Sequence, residues 1–128
     1  MLEERNRTKI LIVEDDQFLS NIYATIFTKK NFQVLTAGTG EEGWTLAEKE
    51  KPNVVLLDIL LPGSMNGLSV LKKMRENEIT LNIPVIILSN CDDDSTISEG
   101  LKLGANGYFI KTQANPDDVY RNVMTFIS

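Results

Sequence analysis

Val54-Val55-Leu56-Leu57-Asp58 is an unbroken aliphatic run that stops at a carboxylate. Four consecutive apolar residues without alternation read as a strand buried on both faces, the pattern of a parallel sheet. Three further runs end in the same way: Ile10-Leu11-Ile12-Val13 runs into Glu14-Asp15-Asp16, Val85-Ile86-Ile87-Leu88 into Ser89, and Tyr108-Phe109-Ile110 into Lys111. Ligands of open parallel sheets gather at the carboxyl ends of the strands. One edge of this protein is therefore expected to carry carboxylates, a hydroxyl and an ammonium.

The segments between the runs have helical spacing. Phe18, Leu19, Ile22, Tyr23, Ile26 and Phe27 form one apolar stripe and predict the first helix. Phe32 to Leu35 reads as a short strand, and Thr39-Gly40-Glu41-Glu42 has the Thr-x-x-Glu form of a capping box, opening a helix through about Glu50. After Asp58, the loop Leu61-Pro62-Gly63-Ser64-Met65-Asn66-Gly67 turns the chain into a third helix with Leu68, Leu71 and Met74 inward. A fourth, roughly Ser95 to Leu103, is short and weakly amphipathic, has Ile97 and Leu101 at helical spacing and Gly104 as its stop, and is expected to be the most mobile. Asn115-Pro116-Asp117-Asp118 opens the last helix with an N-cap, a proline at the first helical position and two acids, and Val119, Tyr120, Val123, Met124 and Ile127 form its predicted buried stripe. Five strands alternating with five helices imply an α/β fold, a parallel sheet with helices on both faces.

At 128 residues and 42% apolar content the chain is expected to be one domain with one core. A single cysteine, Cys91, forms no internal disulfide, and the start Met1-Leu2-Glu3-Glu4-Arg5-Asn6-Arg7 lacks the apolar stretch of a leader peptide. Both features suit a reducing cytoplasm, and no apolar stretch is long enough to span a membrane. A net charge of −5 without clustered Lys and Arg argues against direct nucleic-acid binding. The absence of histidine excludes histidine phosphotransfer by this chain, a histidine-based triad and imidazole metal ligation.

Taken alone, Glu14-Asp15-Asp16 is best read as a solvated helix start, where acids are favoured. Asp58 at the same edge shifts that balance, because like charges gathered there raise one another's pKa values and call for a cation. Oxygen ligands without His or Cys select a hard divalent ion, and Mg²⁺ is the natural reading. Lys111 is explained by charge neutralisation alone, whereas a hydroxyl at Ser89 is not. Together they suit the holding of a phosphoryl group.

In the order and spacing of these residues, and in Gly104-Ala105-Asn106-Gly107-Tyr108-Phe109-Ile110-Lys111, the chain resembles the receiver domain of two-component response regulators over essentially residues 1–128. The resemblance implies a flavodoxin-like (βα)5 three-layer sandwich with strand order 2-1-3-4-5. It implies that Asp58 is the phosphoacceptor, that Glu14, Asp15, Asp58 and the backbone carbonyl of Leu60 hold Mg²⁺, with Glu14 acting through water, and that Lys111 and Ser89 each contact a phosphoryl oxygen. The resemblance also puts Ser89 and Tyr108 at the switch positions, which implies that they reshape the surface of the fourth helix, fifth strand and fifth helix. The implied phosphodonor is a sensor histidine kinase or a phosphotransfer protein, and the chain would catalyse only its own modification. The implied output is a downstream protein target or an output domain outside this sequence, since the chain stops at Ser128, just after the last predicted helix. Either a monomer or a phosphorylation-dependent dimer suits the resemblance.

Departures from the family pattern are local. Thr112 follows Lys111 where proline is usual, so a trans peptide bond is expected there. The loop to Gly67 has one residue more than usual, which is expected to bulge beside the site. Asn90 replaces a small residue beside Ser89, where it either obstructs the phosphoryl pocket or hydrogen-bonds a ligand. Leu60 and Cys91 are comparatively apolar at positions that govern water access, which implies a long-lived phosphorylated form. Asp92, Asp93 and Asp94 read as helix-start chemistry with no catalytic role. Two other functions compete: a degenerate receiver that binds partners without phosphorylation, and a phosphatase with an aspartyl nucleophile, which usually has a second acid where Leu60 stands. A flavodoxin-like nucleotide binder is weaker, since no Gly-rich loop follows the first strand.

Overall fold

The computed structural model describes residues 7–127. The first six residues, part of the start read as lacking a leader, and Ser128 lie outside the described residues. Five strands, β1 (Lys9–Val13), β2 (Gln33–Ala37), β3 (Val54–Leu57), β4 (Val85–Ser89) and β5 (Gly107–Ile110), alternate with α1 (Gln17–Lys29), α2 (Gly40–Glu50), α3 (Gly67–Arg75), α4 (Asp94–Lys102) and α5 (Pro116–Thr125). All pairings are parallel and the order is β2-β1-β3-β4-β5. β2 begins one residue later than Phe32 and continues to Ala37, because its pairing with β1 runs through Ala37 opposite Val13.

Alternation within the strands divides the core into two layers. Ile10, Ile12, Val54, Leu56, Ile86 and Leu88 pack with Tyr23 and Phe27 of α1 and Val119 and Val123 of α5. Their neighbours Leu11, Val13, Val55, Leu57, Val85 and Ile87 pack with Ala47 of α2 and Val70, Leu71 and Met74 of α3. β3, between β1 and β4, is at most 2% exposed along its whole length, which is why its sequence shows no alternation.

Helix starts follow the sequence. Asp16, Thr39, Asn66, Asp93 and Asn115 are N-caps whose side chains accept backbone N–H groups of the first turn. Glu42 reaches back to the N–H of Gly38 rather than that of Thr39, so the capping box is displaced by one residue. Gly104, at φ +104°, ends α4 as predicted.

Three predicted core positions are corrected. Phe18 is 76% exposed because Ser20, Tyr23 and Phe27 form the buried face of α1, and Phe18 lies about 140° round the helix from Tyr23. Leu101 and Met124 are exposed for the same reason, each standing one residue beyond a buried neighbour, Gly100 and Val123 respectively. The buried face of α4 is thus carried by Gly100 and not by the predicted Ile97–Leu101 pair.

The loop after β3 closes tightly beneath the candidate site. Gly67 donates its N–H to the Ile59 carbonyl at 2.8 Å, and a β-carbon on Gly67 would lie 2.0 Å from the Asp58 carbonyl oxygen. The obstruction is backbone, so it has no rotamer through which to relax. Gly67→Ala is expected to cost about 3 kcal/mol by overpacking, read as a shifted urea midpoint. The loop's longer course is tied to α2: the Ser64 hydroxyl donates to Glu41 at 2.8 Å, and Gly63 takes φ +89°.

Candidate phosphoryl and metal site

Parallel registry brings the run endings together. Val13 pairs with Leu57, so Glu14 and Asp58 are the next residues on adjacent strands, and the Asp58 N–H donates to the Val13 carbonyl at 3.0 Å. Ser89 pairs with Ile110, and Lys111 just beyond donates its N–H to the Ser89 carbonyl at 2.9 Å. Lys111 then reaches across the edge, its Nζ lying 2.7 Å from Glu14 Oε1 and 2.7 Å from Asp58 Oδ2.

Both carboxylates are oriented by backbone. Asp58 Oδ1 accepts the Leu60 N–H at 3.3 Å, and Glu14 Oε2 accepts the Asp16 N–H at 3.0 Å. Glu14 and Asp58 are only 6% and 3% exposed, whereas Asp15 is exposed. Each of Glu14, Asp15 and Asp58 offers an oxygen within 4.8 Å of the others. This all-oxygen, partly solvated set fits a hard divalent cation. Asp16 stands apart from it, spent on the α1 N-cap as expected.

Burial pushes the Glu14 carboxyl above its usual 4.5, and the nearby charge of Asp58 adds to that, outweighing the hydrogen bonds from Lys111 and Asp16. Burial alone would lower the Lys111 ammonium, but its hydrogen bonds to Asp58 and Glu14 prevail and raise it. The lysine is therefore a firmly charged counter-ion between two acids.

Ser89 is fully buried, and its Oγ accepts the Cys91 N–H at 3.3 Å. The Tyr108 hydroxyl donates to the Cys91 carbonyl at 2.5 Å. One residue, Cys91, thus joins the Ser89 hydroxyl to the Tyr108 ring through its backbone. Sequence reasoning missed this link, because a backbone contact leaves no trace in residue type. The neutralising role read for Lys111 is seen directly in its pairing with Glu14, which lies 97 positions away and is brought near by the strand order.

The Tyr108 hydroxyl is pushed from 10.0 up to about 12 by burial, reinforced by the charges of Cys91, Asp93, Asp58 and Asp92. The folded state therefore holds this proton more tightly than the unfolded chain. The associated stability is present below pH 10.0 and is lost as pH rises toward about 12. In an ultraviolet titration, the difference between the parent and Tyr108→Phe is expected to show tyrosinate forming near the upper value.

The remaining positions sort clearly. Asn90 and Thr112 are exposed, and no cis peptide bond occurs among the described residues, so Lys111–Thr112 is trans as expected. Leu60 is 63% exposed and Cys91 is half-buried. Asp93 caps α4, with hydrogen bonds from Thr96 and Ser95 lowering its carboxyl to about 2. None of the three acids Asp92, Asp93 and Asp94 belongs to the carboxylate cluster of the site. Among the described residues no helix is long and apolar enough to cross a membrane.

Comparison with known proteins agrees with this edge. Residues 10–123 match the sequence profile of the response regulator receiver domain. The alkaline phosphatase synthesis transcriptional regulatory protein PhoP of Bacillus subtilis is 34% identical over 103 residues, covering 80% of this chain and 42% of that protein. The transcriptional regulatory protein YcbL of the same organism is 40% identical over 101 residues, covering 79% of this chain and 43% of that protein. The chain thus spans less than half the length of these curated relatives. A CheY-like receiver domain protein from Methanospirillum hungatei superposes with a TM-score of 0.87 at 28% identity, covering 94% of this chain and 93% of that one. With the sheet order, the flavodoxin-like packing and the matched profile in agreement, this chain belongs to the response regulator receiver domain family of two-component systems.

Proposed function

We propose that residues 1–128 form one Mg²⁺-dependent phosphoacceptor domain, modified on Asp58 by a phosphohistidine of a partner kinase or phosphotransfer protein. The observation that carries this reading is the Lys111 ammonium at 2.7 Å from both Asp58 and Glu14, at the edge where three carboxylates converge. An Asp58 carboxylate oxygen attacks phosphorus, the bond from phosphorus to the imidazole nitrogen breaks, and its electron pair leaves with the imidazole. An acyl phosphate and a free histidine result. Such a transfer needs in-line positioning and charge neutralisation more than covalent help from the surroundings.

Glu14, Asp15, Asp58 and the Leu60 carbonyl would hold Mg²⁺, with Glu14 reached through water, and the ion would supply charge neutralisation at the phosphoryl oxygens. Asp58 is already aimed by the Leu60 N–H. Lys111 exchanges its contact with Asp58 Oδ2 for a phosphoryl oxygen while Glu14 retains it. Ser89 turns its hydroxyl from the Cys91 N–H toward another phosphoryl oxygen. The Cys91 backbone passes that change to Tyr108, and so to the α4, β5 and α5 surface.

The chain acts on no substrate besides itself. Its signal passes to a protein target or to an output domain, in keeping with relatives named as transcriptional regulators. A cytoplasmic setting, a monomer or phosphorylation-dependent dimer, and a long-lived acyl phosphate behind apolar Leu60 and Cys91 belong to the same reading. Acetyl phosphate with Mg²⁺ is expected to add one phosphoryl group by intact mass, and chelation of the metal to prevent it. No adduct would favour the degenerate receiver, and steady turnover of a phosphate ester would favour the phosphatase.

A further inference from the structure

Arg75, the last residue of α3, spends its whole guanidinium on oxygens of three other segments. Nε and Nη2 both donate to the Gly104 carbonyl, at 3.2 and 2.9 Å, and Nη2 also donates to Asn106 Oδ1 at 3.2 Å. Nη1 donates to the Leu81 carbonyl at 3.2 Å and to the Thr80 carbonyl at 3.4 Å. All the N–H groups of the fork are thereby used, and every acceptor is neutral. The same Asn106 oxygen accepts the Val85 N–H at 2.9 Å, and the Asn106 N–H donates to the Val85 carbonyl at 2.7 Å. One half-buried side chain thus fastens the turn after α4 to the end of α3, to the loop before β4 and, through Asn106, to β4 itself. The fit is close, for a β-carbon on Gly104 would lie 2.9 Å from Arg75 Nε.

The opposite end of α4 is held only by its own cap. Asp93 accepts from Ser95 and Thr96 of the first turn, and its carbonyl accepts the Ile97 N–H. Along its length α4 buries only Gly100, where a β-carbon would lie 2.8 Å from Ile87 and 3.6 Å from the Tyr108 ring. A helix fastened at one end and lightly seated along its face moves by swinging about the fastened end.

We propose that Arg75 is a clamp that makes residues 103–106 a fixed pivot, so that phosphorylation of Asp58 swings α4 at its Asp93 end while its C-terminal end stays in place. The Asp93 end is the one that follows Cys91, whose backbone joins Ser89 to Tyr108, so the change arrives where the helix is free. Arg75 is therefore a positioning residue for the signalling surface, acting from the edge of the sheet opposite the acids. The swing rests on the phosphoacceptor reading; the clamp does not.

Residue-level amide hydrogen exchange by NMR reads local opening at each end of α4. Without phosphodonor, the parent is expected to exchange more slowly at Ala105 and Asn106 than at Ile97. With acetyl phosphate and Mg²⁺, exchange is expected to change over residues 94–99 and to stay unchanged over 103–106. Arg75→Met is expected to speed exchange at Val85, Ala105 and Asn106 by about tenfold or more, the worth of one charge-assisted hydrogen bond, with Leu11 and Leu56 unchanged. In this variant the response to phosphorylation is expected to spread into 103–106. Arg75→Lys keeps the charge without the fork, cannot span Gly104 and Leu81 at once, and is expected to behave alike, serving in its place should Arg75→Met fail to fold. Unchanged exchange at Ala105 and Asn106 in the variants would overturn the clamp. Equal acceleration across the whole sheet would overturn it too, by showing a general loss of stability. A parent that responds to phosphorylation equally at both ends of α4 would overturn the pivot. A parent that takes no phosphoryl group by intact mass would defeat the phosphoacceptor reading and the swing with it, while exchange without phosphodonor still decides the clamp.

Discussion

Asp58→Asn is expected to abolish the Mg²⁺-dependent phosphoryl adduct, leaving none detectable by intact mass under conditions that label the parent fully. The amide replaces a charged oxygen nucleophile with a neutral group and withdraws one of the three clustered carboxylates. No neighbouring acid replaces it in kind. Glu14 is occupied at both oxygens, by Lys111 at 2.7 Å and by the Asp16 N–H at 3.0 Å, while Asp15 is exposed. The variant is expected to fold, because Lys111 keeps Glu14 as its partner and the backbone bond from Asp58 to Val13 does not involve the side chain. Circular dichroism and a urea titration separate lost chemistry from lost structure.

Lys111→Met is expected to be the most destabilising change within the site itself. The Lys111 side chain is 16% exposed and those of its partners 5% and 3%, so its removal leaves two buried carboxylates facing each other without a counter-charge. Breaking one partner out of a buried ion cluster costs about 3 kcal/mol. The sign with pH follows from Glu14. Its carboxyl already lies above 4.5 through burial, so the folded state binds that proton more tightly than the unfolded chain, and stability falls as pH rises through this range. Without Lys111 the Glu14 pKa climbs further. The deficit of Lys111→Met is therefore expected to be largest near neutrality and to shrink in mild acid. Millimolar Mg²⁺ is expected to restore part of it by replacing the missing positive charge. A urea series at two pH values, with and without Mg²⁺, reads all three expectations. Labelling by acetyl phosphate is expected to slow in the same variant even where the protein is fully folded.

The fold was legible because buried parallel strands write themselves as aliphatic runs. Val54 to Leu57 could be little else, and Asn115-Pro116 announced the start of α5 directly. Strand order was not legible in that way, since hydropathy does not say which runs pair; it came with the family resemblance. Helix faces were read less well. Phe18 joined the predicted stripe by its helical spacing to Ile22, whereas the true buried face of α1 includes Ser20. A polar residue on the packed face of a helix leaves no hydropathy signature.

The same divide runs through the site. Glu14, Asp15, Asp58, Ser89 and Lys111 could be named because each ends or follows an apolar run. The geometry joining them depends on register and backbone. Lys111 meets Glu14 because β1, β3, β4 and β5 lie side by side, and Tyr108 meets Ser89 through the amide and carbonyl of Cys91. Asn90 was read from the sequence as either obstructing the phosphoryl pocket or hydrogen-bonding a ligand, and Thr112 as replacing a proline after Lys111; both side chains are exposed at the surface.

The phosphoacceptor assignment is tested most directly by labelling the parent with acetyl phosphate and Mg²⁺, reducing with borohydride, and mapping the reduced residue by peptide mass spectrometry. The expected result is reduction confined to position 58, dependent on Mg²⁺ and absent from Asp58→Asn. Reduction at another carboxylate, or none in a parent shown to be folded, would contradict it.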